Sequence, residues 1–440
     1  MKYNKFLILA VLPCFLGSCS NTDDYSEFYD GVISVSNPGF KTLQSYNVGL
    51  ENTESFFIQR GGFTSPATKV DVIVDETMID SINKAQGKNY KILPKDCYEI
   101  ITPTLQIEGE NRLFEGKIKY DPAKIYAING NVYDKNDFIL PIRFKSEGMQ
   151  FVPGRSELIY DFKVSEAITT IFNTGITELS SNIAEVNIGV PFVNQWNINI
   201  TTKVDEKYVE SYNKSNGTYF QLLPAAFYTS TNNVTLSPEL SDAIIEYKID
   251  DSKVKSGCYL LPIKLDKVEA EVEIKKDEEA TAVFKIQKLG ERIAKTDWKI
   301  VSFTTEEPTG ENNGNNGRAI HLIDGKSETF WHSKWKGGSD PLPYEIVVDL
   351  NKRIDISQVE VLPRGQNSNN PIKLLEFYVS DNNQDWNFIG KFSFTNIDDY
   401  LIYNVKKTAG RYLKMVLPDD GGNGTVAAIR ELEVRGEVLN

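Results

Sequence analysis

The chain has 440 residues, of which 40% are hydrophobic and 11% aromatic, and it carries a formal charge of −13. That composition supports packed cores and argues against disorder. The acidic balance argues against a nucleic-acid partner or an anionic lipid surface, since either needs a basic footprint; neutral glycans and divalent cations stay compatible with it.

At the chain start, Lys2 and Lys5 precede an apolar run, Phe6 to Leu16. A bilayer span needs about 20 residues, so this run reads as the hydrophobic region of a signal peptide. Leu16-Gly17-Ser18-Cys19 resembles a lipobox, which makes 1–18 a lipoprotein signal peptide and Cys19 the lipidated residue; an ordinary signal peptide cleaved nearby is the competing reading. The stretch Ser20-Asn21-Thr22-Asp23-Asp24 resembles the export tag of Bacteroidetes-type surface lipoproteins. With 19–30 as a tether, the resemblance implies a protein lipid-anchored in the outer membrane and facing the cell exterior. Cys14 leaves with the signal, so only Cys97 and Cys258 can pair. They fall at non-equivalent places in the repeats below and are expected to be buried free thiols.

The segment from Val74-Asp75-Glu76 through Leu93-Pro94 to Tyr98 recurs at Val204-Asp205-Glu206 through Leu223-Pro224 to Tyr228, at a constant offset of 130. Ser81, Asn83, Lys84 and Gly87 return as Ser211, Asn213, Lys214 and Gly217, and Phe138 to Ile142 has its counterpart in Tyr259 to Ile263. Self-similarity at a fixed period predicts tandem domains, here 31–165 and 166–290. Alternating runs such as Val70-Asp71-Val72-Ile73-Val74 and Trp196-Asn197-Ile198-Asn199-Ile200 predict strands with one buried face. Between them, Asp75 and Asp205 are expected to cap short helices that bury Ile79 and Ile82, or Val209 and Tyr212, with Gly87 and Gly217 as stops. Pro141 and Pro262 lie inside strand-like runs and are expected at edges or bulges. The fold class is therefore all-β with short helices. The repeated Asn-Lys and Leu-Pro…Tyr elements resemble the DUF1735 family of lipoproteins, whose members often precede glycan-binding or glycosidase domains; packing and turns are the simpler reading of the shared residues.

Beyond residue 291 the character changes: Trp298, Trp331, Trp335, Trp386 and both histidines, His321 and His332, lie here. Gly310 to Gly317 reads as a flexible glycine- and asparagine-rich surface loop. It is followed by Ala319-Ile320-His321-Leu322-Ile323-Asp324-Gly325-Lys326-Ser327-Glu328-Thr329-Phe330-Trp331-His332. That string, with Val347-Val348-Asp349-Leu350, Val361-Leu362-Pro363-Arg364, Phe377-Tyr378-Val379-Ser380, Trp386, Arg411-Tyr412-Leu413-Lys414 and Glu431-Leu432-Glu433-Val434, resembles the F5/8 type C family, also called discoidin or carbohydrate-binding module family 32. The resemblance covers roughly 295–440 of a C-terminal domain placed at 291–440, and it implies a jelly-roll β-sandwich with binding loops at one end, following the tandem sandwiches.

Asp324-Gly325 opens a turn where a carboxylate, carbonyls and the Thr329 hydroxyl converge, and calcium wants six to eight oxygens. The family pattern implies a structural calcium on His321, Asp324, Lys326, Thr329 and Glu431. Lys326 departs from the usual Asn or Asp and offers only its carbonyl; an Asp-Gly turn without metal is the alternative. Sugars are recognised by aromatic faces and planar polar groups. The galactose-type pattern implies a site of His332, Trp335, Arg364 and Asn370, with Asn367 and Asn369 in the same loop. Its usual last-loop aromatic is missing from Asp419 to Gly424, and Trp331 is expected in the core.

These readings imply a surface lipoprotein that binds a host or dietary glycan through its C-terminal domain. Its neighbours would be a glycan-uptake system of the SusC/SusD type or a glycosidase. Two other classes compete. One is an adhesin for a protein or lipid partner, although the loops are polar. The other is a glycosidase, for which no region reaches the roughly 250 residues of a (β/α)₈ barrel, and a Ser-His-Asp triad would have to be built within the C-terminal domain. The expectation is that the protein is not an enzyme.

Overall fold

The computed structural model describes residues 31–62, 66–129, 138–366, 368–419 and 421–439. The signal peptide, Cys19, the tether, Asn367 and Asp420 lie outside the described residues. The chain divides into two compact units, residues 1–167 with 272–274, and residues 168–271 with 275–440. With 51% strand and 11% helix, the architecture is the expected all-β one.

In the first unit, a five-stranded sheet orders Gln150–Phe151, Val32–Val35, Asn52–Gly61, Leu113–Tyr120 and Tyr98–Ile100. Its inner face meets a six-stranded sheet whose path runs Gly39–Asn47, Glu157–Glu166, Phe138–Ser146, Thr68–Val74 and Thr104–Ile107, with Lys91–Ile92 added beside Phe138–Ser146. Period-2 alternation aims Ile33, Phe56, Ile58 and Ile118 at Val70, Phe144, Tyr160 and Phe162 across the shared core. The helix Ile79–Gln86 buries Ile82 among Met78, Ile139 and Ile159.

The second unit begins with the same arrangement. Its five-stranded sheet orders Lys275–Lys276, Ile168–Ile171, Ile183–Gly189, Asp242–Ile249 and Tyr228–Ser230. The six-stranded path runs Gly175–Glu178, Thr281–Lys288, Gly257–Glu269, Ile198–Val204 and Asn233–Leu236, with Gln221–Leu222 against Gly257–Glu269. The repeated asparagine explains part of the sequence match. Asn83 donates to the Tyr90 carbonyl at 3.0 Å and accepts its N–H at 2.6 Å; Asn213 does the same to Phe220 at 2.8 and 3.0 Å. Gly87 and Gly217 end their helices at φ 62°, in the left-handed region. Cys97 and Cys258 are buried free thiols, each pushed up to about 11 by burial.

Two local expectations need correction. Pro141 and Pro262 lie on interior strands, not at edges. The Phe138–Ser146 strand changes neighbour at the proline: Lys91–Ile92 pairs up to Ile139, and Thr68–Val74 pairs from Ile142 onward. Pro262 marks the same changeover between Gln221–Leu222 and Ile198–Val204. No ladder N–H is needed there, and each proline carbonyl accepts the N–H of Asp75 or Asp205. The second correction concerns capping. Asp75 accepts from the Thr77 N–H at 3.0 Å and its hydroxyl at 2.5 Å, whereas Asp205 makes no cap bond. The Asp205 carboxylate pairs instead with Lys264 at 3.0 Å.

The rest of the second unit is one connected set of eight strands. Its path runs Glu291–Arg292, Ala428–Val438, Tyr344–Pro363, Leu401–Leu417, Leu374–Ser380 and Asn387–Ser393, with Lys299–Phe303 and Trp331–His332 attached at the side. Register shifts between Asp349 and Ile354, and between Ile356 and Gln358, bend the long Tyr344–Pro363 strand, as bulges do. It can then serve both layers of a β-sandwich. Trp331 is fully buried in that core, as expected, with its indole N–H on the Thr305 carbonyl at 2.9 Å.

Candidate functional site

One end of this sandwich is organised by two carboxylates, Glu307 and Glu311. Glu307 is 1% exposed. Its Oε1 accepts the N–H groups of Thr309 (3.2 Å) and Gly310 (2.8 Å), and its Oε2 those of Trp335 (3.2 Å) and Lys336 (2.8 Å). Burial works to raise this carboxyl, but the four backbone donors together outweigh it and bring it down to about 2. The Gly310–Gly317 run, expected as a flexible surface loop, is thereby held at Gly310, and its other end is tied where the Gly317 carbonyl accepts the Glu307 N–H at 3.1 Å and the Gly317 N–H donates to the Phe330 carbonyl at 2.8 Å. A Cβ on Gly317 would meet the Glu307 carbonyl oxygen at 2.1 Å, and one on Gly310 would meet the Trp335 ring at 2.7 Å. These glycines permit close approach.

From the clamped segment, Glu311 reaches the expected sugar-site residues. Its Oε1 accepts the Trp335 indole N–H at 2.9 Å and stands 3.7 Å from His332 Nε2. Its Oε2 is 3.5 Å from Arg364 Nη2. Trp335 is 43% exposed, so a ring face is open to solvent. Arg364 lies over the Phe330 ring, 4.1 Å from its centre, an arrangement that stiffens the guanidinium. His332 is buried beside Ala428 on the last strand. Its Nδ1 lies 2.6 Å from the Ser333 carbonyl, which assigns the proton to Nδ1 and leaves Nε2 as an acceptor. Burial lowers its pKa from the usual value, so the ring is neutral near pH 7.

Three of the four expected sugar-site residues thus converge, and the fourth does another job. Asn370 donates to the Ala428 carbonyl (2.7 Å) and to Asn396 Oδ1 (3.2 Å), and accepts the Ala428 N–H at 3.3 Å. Both amide hydrogens are engaged, so Asn370 fixes the loop after Arg364 to the last strand. In the Asp419–Gly424 loop, Asn423 accepts the Lys373 and Leu374 N–H groups at 2.6 and 3.0 Å and has a structural role. Glu307, Glu311 and Phe330 escaped the sequence reading. The available signal was Glu311 itself, the one charged side chain within the Gly310–Gly317 run.

The residues expected to hold calcium lie at a separate turn. Asp324 accepts the Thr329 hydroxyl at 2.9 and 2.8 Å and the Lys326 N–H at 3.0 Å, and the Thr329 hydroxyl also lies 3.0 Å from the Lys326 carbonyl. Glu431 is 1% exposed, and its Oε1 is buried without a hydrogen-bond partner among the described residues. Burial chiefly, with nearby Asp324 adding to it, raises the Glu431 carboxyl to about 7 despite the pairing with Lys295. His321 sits in the turn Ala319–Leu322 with its Nδ1 buried and unpartnered among the described residues. Among the described residues no three His, Cys, Asp or Glu side chains cluster as a metal site. Two carboxylates, a hydroxyl and a carbonyl nonetheless suit a hard cation. Against them stands the Lys295 ammonium, which pairs with Glu431 and, at 2.8 Å, with Glu433.

Comparison with known proteins places both parts of the chain. Residues 29–150 and 162–272 match a single family of N-terminal domains, together more than half of the chain. The chain belongs to that family. Residues 302–432 match the F5/8 type C domain, so the sandwich that carries Glu307, Trp335 and Arg364 is an F5/8 type C domain. Among curated proteins, a sialidase of Micromonospora viridifaciens is 29% identical over 142 residues, which are 31% of this chain and 21% of that protein. The chain thus spans about a fifth of that relative's length. Among solved structures, the C-terminal domain of a chitobiase from Bacteroides fragilis is 62% identical, covering 34% of this chain and all of that one, with a TM-score of 0.34. A CBM32 domain from Clostridium perfringens, solved in complex with GalNAc-β-1,3-galactose, is 27% identical over 33% of this chain and all of that one, with a TM-score of 0.30.

Proposed function

We propose that this protein captures carbohydrate through its F5/8 type C domain and catalyses no reaction on it. The observation that carries the reading is the convergence of Trp335, Arg364 and His332 on the Glu311 carboxylate at one end of the sandwich. An exposed indole face suits the C–H surface of a pyranose. The Arg364 guanidinium donates to ring and hydroxyl oxygens, while His332 Nε2 and Glu311 accept from hydroxyls. A sugar hydroxyl would displace the long Glu311 contacts, at 3.5 and 3.7 Å, with little loss. A carboxylate at the centre of the site favours neutral sugars over acidic ones.

The rest of the reading follows the sequence. Residues 1–18 direct export, Cys19 takes the lipid, and the protein stands on the outer membrane facing out. The N-terminal family domains act as the spacer, and a SusC/SusD-type transporter or a glycosidase receives the glycan. Structural calcium would be held by Asp324, Thr329, Glu431 and the carbonyls of Lys326 and His321, tying that turn to the last strand.

Calorimetric titration of the full chain with galactose-, N-acetylhexosamine- and mannose-containing oligosaccharides tests the site. Arg364→Ala should remove binding while leaving thermal unfolding unchanged. Binding that survives the substitution unaltered would place the site elsewhere, and release of reducing sugar would make the protein a glycosidase.

A further inference from the structure

Within the second unit, a cleft of about 830 Å³ opens where the second N-terminal-family repeat meets the F5/8 type C domain. Its lining includes Lys214, Lys255, Lys406 and Lys407, with Tyr219 and one carboxylate, Asp355. Lys407 is compensated: it pairs with Asp355 at 3.3 Å and donates to the Ser256 carbonyl at 3.0 Å. Lys214, Lys255 and Lys406 are exposed, and among the described residues none has a carboxylate within ion-pair distance. Three uncompensated ammonium groups therefore line one concave surface of a chain whose net charge is −13. At physiological ionic strength the screening length is about 8 Å, so a ligand in the cleft meets the local charge and not the net one.

The walls of the cleft are fixed. The Tyr219 ring packs edge-on against Phe388 and Phe392, with centroids 6.4 and 5.7 Å away, and its hydroxyl accepts the Lys391 N–H at 3.3 Å. Nearby, fully buried Gln358 accepts the Gly290 N–H at 3.2 Å and donates to the Lys288 carbonyl at 3.3 Å. A preformed cleft avoids the ordering cost that weakens binding by mobile surfaces. The cleft is also distinct from the Trp335 site. Asp355 precedes Arg364 by nine residues, most of them on the Tyr344–Pro363 strand, and none of Glu311, His332, Trp335 or Arg364 is among the residues that line the cleft.

We propose that this cleft is a second ligand site, for an acidic saccharide segment whose carboxylate or sulfate groups pair with Lys214, Lys255 and Lys406. Lysines on three separate elements suit anionic groups spread along a chain, because each acts as a mobile point charge. The partly buried Tyr219 ring gives the wall an aromatic surface of the kind that contacts sugar C–H groups. The site complements the Trp335 site, whose central carboxylate disfavours such ligands.

The test uses the full chain carrying Arg364→Ala, so that the Trp335 site contributes nothing. Chondroitin sulfate oligosaccharides supply the sulfate arm and oligogalacturonate the carboxylate arm, both titrated calorimetrically at low and physiological salt. Binding of either probe is expected, weakening as salt rises. The exposed triple variant Lys214→Glu, Lys255→Glu, Lys406→Glu should lose at least tenfold in affinity with its unfolding temperature unchanged. The proposal is overturned if neither probe binds, if the triple variant binds as well as its parent, or if oligoglutamate of matched charge binds as tightly as the saccharides.

Discussion

Replacing Glu307 by glutamine probes the clamp beneath the candidate site most directly. The carboxylate offers two oxygens to four backbone N–H groups, at 2.8 to 3.2 Å. An amide has one oxygen, so in either orientation two of those N–H groups face an NH₂ donor. Hydrogen bonds to charged groups contribute about 1.5–3 kcal/mol each, and losing two at a 1% exposed position, with some relaxation of the loop, should cost about 3 kcal/mol. For a domain near 150 residues this lowers Tm by about 10 °C. Four of the five tryptophans lie in the C-terminal domain, so intrinsic fluorescence reports its transition. The effect has a defined pH dependence. A carboxyl held at about 2 when folded, against about 4.3 unfolded, contributes fully above the unfolded value and progressively less as pH falls towards 2. The gap between wild type and Glu307→Gln should therefore be widest at pH 7 and narrow markedly by pH 3. A Tm within about 2 °C of wild type at pH 7, or a gap unchanged at pH 3, would refute the clamp.

Three further outcomes are expected. Gly310→Ala places a Cβ 2.7 Å from the Trp335 ring and 2.9 Å from the Glu307 carboxylate carbon; it should shift Trp335 fluorescence, reduce sugar affinity in titration and lower Tm in the same direction as Glu307→Gln. Asn83→Ala and Asn213→Ala each strand a backbone N–H and C=O of the following turn. Each should cost its own unit about 1–3 kcal/mol in urea unfolding, and the double variant should show both single-variant shifts unchanged because the sites share no partner. Added calcium should raise the Tm of the tryptophan-reported transition relative to EDTA, as for any ligand of the folded state, and Asp324→Asn should remove that rise.

The features legible in the sequence were those repeated or periodic in it. The offset of 130 residues identified two copies of one domain, and alternation identified their strands, because burying one face of a strand leaves a mark at every second residue. The pattern could not show which neighbour a strand has at each point along its length. Pro141 and Pro262 look like edge residues until Lys91–Ile92 and Gln221–Leu222 are seen to hand over to other strands there. Asp205 matches Asp75 by position, yet its carboxylate pairs with Lys264 and makes no cap bond.

The candidate site divides along the same line. His332, Trp335 and Arg364 were visible through motif residues, whereas Glu307 was not, because its partners are backbone N–H groups and any residue can supply those. The glycine-rich run is ambiguous in sequence for a related reason. Glycine serves flexibility, positive φ and close approach alike, and sequence does not say which. In the fold, Gly317 combines φ 97° with a carbonyl oxygen 2.1 Å from where its Cβ would stand, and Gly310 lies under the Trp335 ring. Two glycines and one buried carboxylate thus turn a segment of low complexity into the support that holds Glu311 against Trp335 and Arg364.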